Sequence, residues 1–219
     1  MQLLACNYLP HGYWFYVTGH VPVHKEPADV DVKLIAKYDI AVSRSTRARR
    51  KQLGRANLRY LRHGRFFVLM ATHGEHDFFG EEAVSVRDIR RVPLTFAGYS
   101  ISYRRGGRRR DGKPDTSWHS HVGISRSAYK ELEAYFLEMS ARRSADWIAR
   151  EFYRLPFEPY APVRRQMLKL LHKVNCRRKR ARLRPIPHQV LPLRRRVVKP
   201  LEPWEEPYTF RLDSPQSVG

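Results

Sequence analysis

The sequence predicts an α+β fold: one mainly antiparallel sheet with helices on one side, followed by a C-terminal helical segment and a basic tail. Three observations carry this prediction. Short aromatic and β-branched runs bounded by turn residues mark strands near Tyr13–Gly19, Phe66–Ala71, Leu94–Tyr103 and Trp118–Ile124. Past Ser127 the apolar residues recur at helical spacing instead. From Arg177 that periodicity gives way to arginine and proline. The expected division is therefore an α+β nucleic-acid-binding core over residues 1–140, a helical extension packed on it over 141–176, and a basic, extended tail over 177–219.

Each element has a local reason. Pro10-His11-Gly12 breaks the chain before the ring-rich run Tyr13, Trp14, Phe15, Tyr16. Asp29 to Tyr38 places Val30, Leu34, Ile35 and Tyr38 at helical spacing, with Asp29 and Asp31 near the positive end. Phe66 to Ala71 lies between Gly64 and Gly74 and reads as a buried strand. Between Leu94 and Tyr103 the alternation slips at Ala97-Gly98, which predicts a bulge or turn. Asp111-Gly112 is a hairpin-turn signal, with Trp118 to Ile124 as the returning strand. Ser127 is the expected cap of a helix whose face is Tyr129, Leu132, Phe136 and Met139. Ser144 caps a second helix, and Pro162 opens a third with Val163, Met167, Leu170, Leu171 and Val174 on one face.

Charge sets the class of partner. The 219 residues carry Lys+Arg 42 against Asp+Glu 21, a net charge of +21. Such a chain attracts polyanions, and nucleic acid is the leading one. No stretch stays apolar for the ~18 residues a membrane span needs, so a membrane partner is not expected. There is no charged n-region before an apolar core, so secretion is not expected either. The two cysteines, Cys6 and Cys176, form no C-x-x-C pair and suit a reducing compartment, cytoplasmic or nucleoid-associated.

Three basic clusters are the candidate nucleic-acid contacts. Arg44, Arg47, Lys51 and Arg55 recur at i, i+3, i+7 and i+11 and would form one stripe on a helix. No acidic residue at i+4 neutralises the stripe, so it reads as a phosphate-contacting face or as a solvated helix surface. Arg104, Arg105, Arg108, Arg109 and Arg110 load a glycine-rich hairpin tip, read as a backbone-clamping loop or as a disordered tip. Arg177, Arg178, Lys179 and Arg180 open the tail. Tyr99, Tyr103 and Trp118 are candidate stacking residues for bases, flanked by these arginines.

The remaining chemistry lies just past the central strand, in His73, Glu75, His76 and Asp77. Imidazole and carboxylate together suit a divalent cation, Mg²⁺ or Mn²⁺, that polarises a phosphodiester. The same residues read equally well as a polar turn. The order of aromatic strand, helix, strand running into histidines and later tyrosine-bearing helix resembles the HUH endonucleases, the single-tyrosine transposases and replication nucleases of mobile elements. The resemblance covers about the first two thirds of the chain. It implies His73 and His76 as metal ligands and Tyr129 or Tyr135 as the nucleophile attacking single-stranded DNA. Gly74 and Glu75 stand between the histidines where the family has one apolar residue, and His119-Ser120-His121 has that spacing on a later strand. The leading functional expectation is a non-catalytic binder of RNA or single-stranded DNA, acting through phosphate contacts and aromatic stacking. The alternative is a metal-dependent, HUH-like DNA-strand nuclease or transposase.

Overall fold

The computed structural model describes residues 1–107 and 111–193. Arg108, Arg109, Arg110 and the end of the basic tail lie outside the described residues. The α+β class holds, with helices and antiparallel sheets. The described strands form two sheets, however, and the chain divides into two compact units, with a boundary between Val92 and Pro93. The expected single sheet is thereby corrected, and the expected boundary at residue 140 does not coincide with this division. Proline lacks the N–H that would continue a ladder, and no Gly/Ser linker advertises the junction in the sequence.

The first unit holds a four-stranded sheet in the order β2-β3-β1-β4. Here β1 is Phe15–His20, β2 Leu58–His63, β3 Phe66–Ala71 and β4 Arg87–Asp88. β3 pairs antiparallel with both β1 and β2, with Leu69 opposite Val17 on one side and Tyr60 on the other. Its apolar run lets Val68, Leu69, Met70 and Ala71 all be buried. Val17, Leu58, Leu69 and Ala71 share a core with Tyr38, Ile40 and Phe78. Among the described residues this unit carries three α-helices: α1 (Pro27–Lys37), α2 (Arg44–Gln52) and α3 (Asp77–Glu81). Pro27 opens α1 where its missing N–H costs nothing. Asp31 does not serve the helix end. It is 2% exposed and takes the Tyr60 hydroxyl at 2.5 Å and the Arg62 guanidinium at 2.8 Å, which ties α1 to β2.

The second unit holds a three-stranded antiparallel sheet, β5 (Leu94–Phe96), β6 (Tyr99–Arg105) and β7 (Trp118–Ile124). The phase slip becomes a tight hairpin: Ala97 and Gly98 have φ of 46° and 76°, and Phe96 lies opposite Tyr99. α4 runs Arg126–Met139, α5 Ala145–Tyr153 and α6 Ala161–Arg180. The cap of α4 is Ser125, not Ser127: its hydroxyl accepts from the Ala128 N–H. Ser144 caps α5 as expected, accepting from the Trp147 N–H. Phe136 of α4 stacks on Phe152 of α5, with centroids 4.1 Å apart. Val163, Met167, Leu170, Leu171 and Val174 are the buried face of α6, as their spacing predicts. Gln166 locks α6 to β7, accepting from the Ile124 N–H at 2.8 Å and donating to the Ile124 carbonyl at 2.9 Å.

The tail does not begin at Arg177. α6 continues to Arg180, and Asn175 exchanges two 2.8 Å hydrogen bonds with the backbone of Ile186. Ile186 and Leu191 are buried, so the chain folds back on the unit well past the point where periodicity fades. Among the described residues, no helix is long and apolar enough to cross a membrane.

Candidate nucleic-acid interface

In the first unit the basic stripe is built on α2, which buries none of its residues. Its N-terminus is held by Ser43, whose hydroxyl accepts from the Thr46 N–H. Arg44, Arg49 and Lys51 point to solvent. Two expected members of the stripe behave differently. Arg47 is half-buried and donates to the Val42 carbonyl. Burial, and then the nearby Arg59 guanidinium, lower its pKa from the ordinary arginine value. Arg55 is exposed, but the helix has ended at Gln52, so it lies on the following segment.

That segment carries the histidine loop. The backbone of Gly54–Asn57 pairs with Thr72–Glu75: the Glu75 N–H donates to Gly54 at 2.9 Å, the Ala56 N–H to Glu75 at 3.0 Å, and the Thr72 N–H to Asn57 at 2.9 Å. Gly74 makes this approach possible. Its φ is +136°, and a Cβ there would lie 2.6 Å from Ala56 N, Arg55 C and Gly54 O. The two-residue gap between the histidines therefore serves a backbone contact with the end of the basic stretch. His76 is the cap of α3, its Nδ1 accepting from the Phe78 N–H at 3.1 Å. His73 and Glu75 are exposed. Among the described residues there is no group of three or more His, Cys, Asp or Glu side chains placed to hold a metal ion, so His73, Glu75 and His76 are not assembled into the expected Mg²⁺ or Mn²⁺ site.

The two candidate nucleophiles lie in the second unit. The Tyr129 hydroxyl is buried and, among the described residues, has no hydrogen-bond partner. Burial and then Glu133 raise its pKa against the opposing effect of Lys173. Tyr135 is 40% exposed and donates to Glu151 at 3.1 Å; burial and that carboxylate raise its pKa too. Both environments disfavour the phenolate, the reverse of what activates a nucleophile.

The second unit does present cations. Arg104 and Arg105 are exposed at the end of β6. Arg105 sits 5.3 Å from the Trp118 ring centroid, and Trp118 stacks on Tyr103 at 5.6 Å with ring planes 15° apart. Of the three expected stacking residues only Trp118 is exposed, at 37%. Tyr103 is buried, and Tyr99 is buried with its hydroxyl accepting from the Glu158 N–H at 2.6 Å. Beside them His119 meets Asp115 at 2.9 Å. Burial and then Arg104 push the pKa of His121 down, which favours the neutral imidazole.

At the end of α6 the four basic residues divide. Arg177, Lys179 and Arg180 are exposed. Arg178 is 3% exposed and is a structural residue, not a nucleic-acid contact. Its guanidinium donates to the carbonyls of Ser140 at 2.8 Å, Arg143 at 3.0 Å and Arg184 at 2.7 Å. It closes the C-terminal end of α4 against α6. Arg59, absent from the basic clusters that the sequence marks, stands on β2. Residues 58–63, LRYLRH, show no clean apolar–polar alternation that would have marked it on a strand face. Comparison with family models, with curated proteins and with solved structures returns no match.

Proposed function

We propose that this chain is a nucleic-acid-binding protein that grips the phosphates of RNA or single-stranded DNA and stacks an unpaired base on Trp118. The observation that carries the reading is the pattern of charge. Arg44, Lys51 and Arg55 in the first unit, and Arg104, Arg105, Arg177, Lys179 and Arg180 in the second, expose cationic groups that take part in none of the ion pairs among the described residues. Arginines needed for the fold, such as Arg62 and Arg90, are instead matched to Asp31 and Asp88. A net charge of +21 left open in this way suits a phosphate backbone. Trp118 adds a π-face beside Arg105, the combination that single-strand binders use for sequence-tolerant stacking. The protein so described would work in the cytoplasm or at the nucleoid. The raised phenol pKa values of Tyr129 and Tyr135 speak for binding rather than strand transfer.

The test is fluorescence anisotropy with a labelled single strand over a series of salt concentrations. The binding constant should fall steeply, with a log–log slope reporting several displaced counterions. Lys51→Ala and Arg177→Ala should each weaken binding alike on different sequences. A salt-independent binding constant rejects the reading, as does a covalent protein–DNA adduct formed with Mg²⁺ or Mn²⁺, which would identify a nuclease instead.

A further inference from the structure

In the first unit two buried polar atoms, Arg59 Nε and Asn57 Oδ1, have no hydrogen-bond partner among the described residues. Arg59 projects from β2 beneath the N-terminal π-helical segment Leu3–Tyr8, its guanidinium 5.8 Å from the Tyr8 ring centroid. Its Nε is buried and has no hydrogen-bond partner, and no ion pair among the described residues includes it. Arg47 approaches from α2, where burial and then the Arg59 charge lower its pKa. Asn57 is 6% exposed and donates to the Arg47 carbonyl at 3.1 Å, which leaves its Oδ1 buried with no partner. Tyr13, 8% exposed, packs against Tyr8 with ring centroids 5.5 Å apart.

Each of these features alone is costly. A buried donor without an acceptor forfeits its hydration, and two half-buried guanidiniums without a carboxylate repel. Together they describe the complement of a small oxyanion. A phosphoryl group offers three acceptor oxygens and negative charge, which the Arg59 guanidinium and the Arg47 nitrogens not taken by the Val42 carbonyl match in sign. The phenols of Tyr8 and Tyr13 can add neutral donors. The Asn57 Oδ1 is an acceptor, suited to the O–H of a hydrogenphosphate or a hydroxyl next to the phosphoryl group.

We propose that Arg59 and Arg47, with Tyr8, Tyr13 and Asn57, form a discrete phosphoryl-binding site where the N-terminal segment, α2 and β2 meet. This goes beyond the nucleic-acid reading, because it requires only the phosphoryl group and is half-buried rather than spread over an exposed charged face. Two sources carry that chemistry: free phosphate or a small phosphomonoester, and a phosphate of a nucleic acid.

The test uses the full chain in phosphate-free buffer. Inorganic phosphate should raise the Tm in proportion to the logarithm of its concentration, while chloride at matched ionic strength should not. Arg59→Met should melt no lower than wild type without phosphate, since it replaces a half-buried guanidinium, whose Nε has no partner among the described residues, by an apolar chain of similar length. It should also bind phosphate at least tenfold more weakly. Arg126→Gln, an exposed arginine of the second unit, controls for charge alone and should respond as wild type does. If Arg59→Met does not fold, the arginine Nε–H spectrum of the wild type reads the same site: saturable shifts of one or two resonances support it, and small scattered shifts overturn it. Oligonucleotides with and without a 5′-phosphate separate the sources. A tenfold preference for the phosphorylated end, lost in Arg59→Met, assigns the site to a nucleic-acid terminus; a response to inorganic phosphate without that preference assigns it to the small ligand. The proposal is overturned if phosphate stabilises no better than chloride, or if Arg59→Met responds as wild type does. Salt-dependent strand binding that persists in either case would leave the nucleic-acid reading standing without this site.

Discussion

Adjacent arginines on α6 should give opposite phenotypes. Arg178 is 3% exposed and makes hydrogen bonds of 2.7, 2.8 and 3.0 Å to three carbonyls, while Arg177 is exposed. Arg178→Ala removes three charge-assisted bonds and leaves the Ser140, Arg143 and Arg184 carbonyls without that donor. A hydrogen bond to a charged group contributes roughly 1.5–3 kcal/mol, but the guanidinium also regains hydration on unfolding. The net loss should be about 3–4 kcal/mol, in the range seen when a buried charged partner is removed. For a unit of roughly a hundred residues each kcal/mol shifts Tm by about 4–8 °C, so a drop of about 12–32 °C is expected. Urea unfolding followed by tryptophan fluorescence measures it, because Trp118 and Trp147 both report on the second unit. Arg177→Ala should leave the midpoint unchanged and weaken strand binding. If Arg178→Ala instead keeps wild-type stability and loses binding as Arg177→Ala does, the separation of structural from ligand-facing arginines on this helix is wrong.

Three further outcomes follow from single sites. Gly74→Ala should cost about 2–4 kcal/mol in unfolding experiments, because it combines a left-handed φ with a Cβ 2.6 Å from three backbone atoms; a change near zero would mean that the Thr72–Glu75 strap moves freely. Burial would raise the Asp88 pKa, but hydrogen bonds from the Arg90 side chain and backbone N–H outweigh it and leave the pKa lowered. The folded state therefore gains stability above the unfolded carboxyl pKa of about 3.9 and loses it as pH falls through the lower folded value; Asp88→Asn should flatten that acid limb in a Tm–pH series, and an unaltered limb would refute the linkage. Trp118→Ala should weaken single-strand binding by about 1–3 kcal/mol in anisotropy titrations, while duplex binding through phosphates changes little.

What was legible in the sequence was whatever local periodicity encodes. Phe66–Ala71 and Trp118–Ile124 appear as strands at the expected bounds, because branched and aromatic residues between turn formers have few other ways to bury themselves. The buried face of α6 follows from a 3.6-residue repeat in the same way. Net charge likewise needs no coordinates, since it is a sum over the chain. What tertiary structure alone decided is which polar groups are free. Arg177 and Arg178 are chemically identical neighbours, as are the arginines of α2, yet Arg178 turns inward because three carbonyls, from residues 140, 143 and 184, converge on it. Arg47 and Arg59 come together only because α2 and β2 fold against the N-terminal segment. Gly74 looks like an insertion between two histidines until the backbone of Gly54–Ala56 lies against it. The strands fall into two sheets because β4 ends after two residues and Pro93 intervenes, a matter of pairing partners that the strand patterns do not specify. Periodicity is written in neighbours along the chain, whereas the state of a charge is set by groups distant in sequence, and these meet only when the chain is folded.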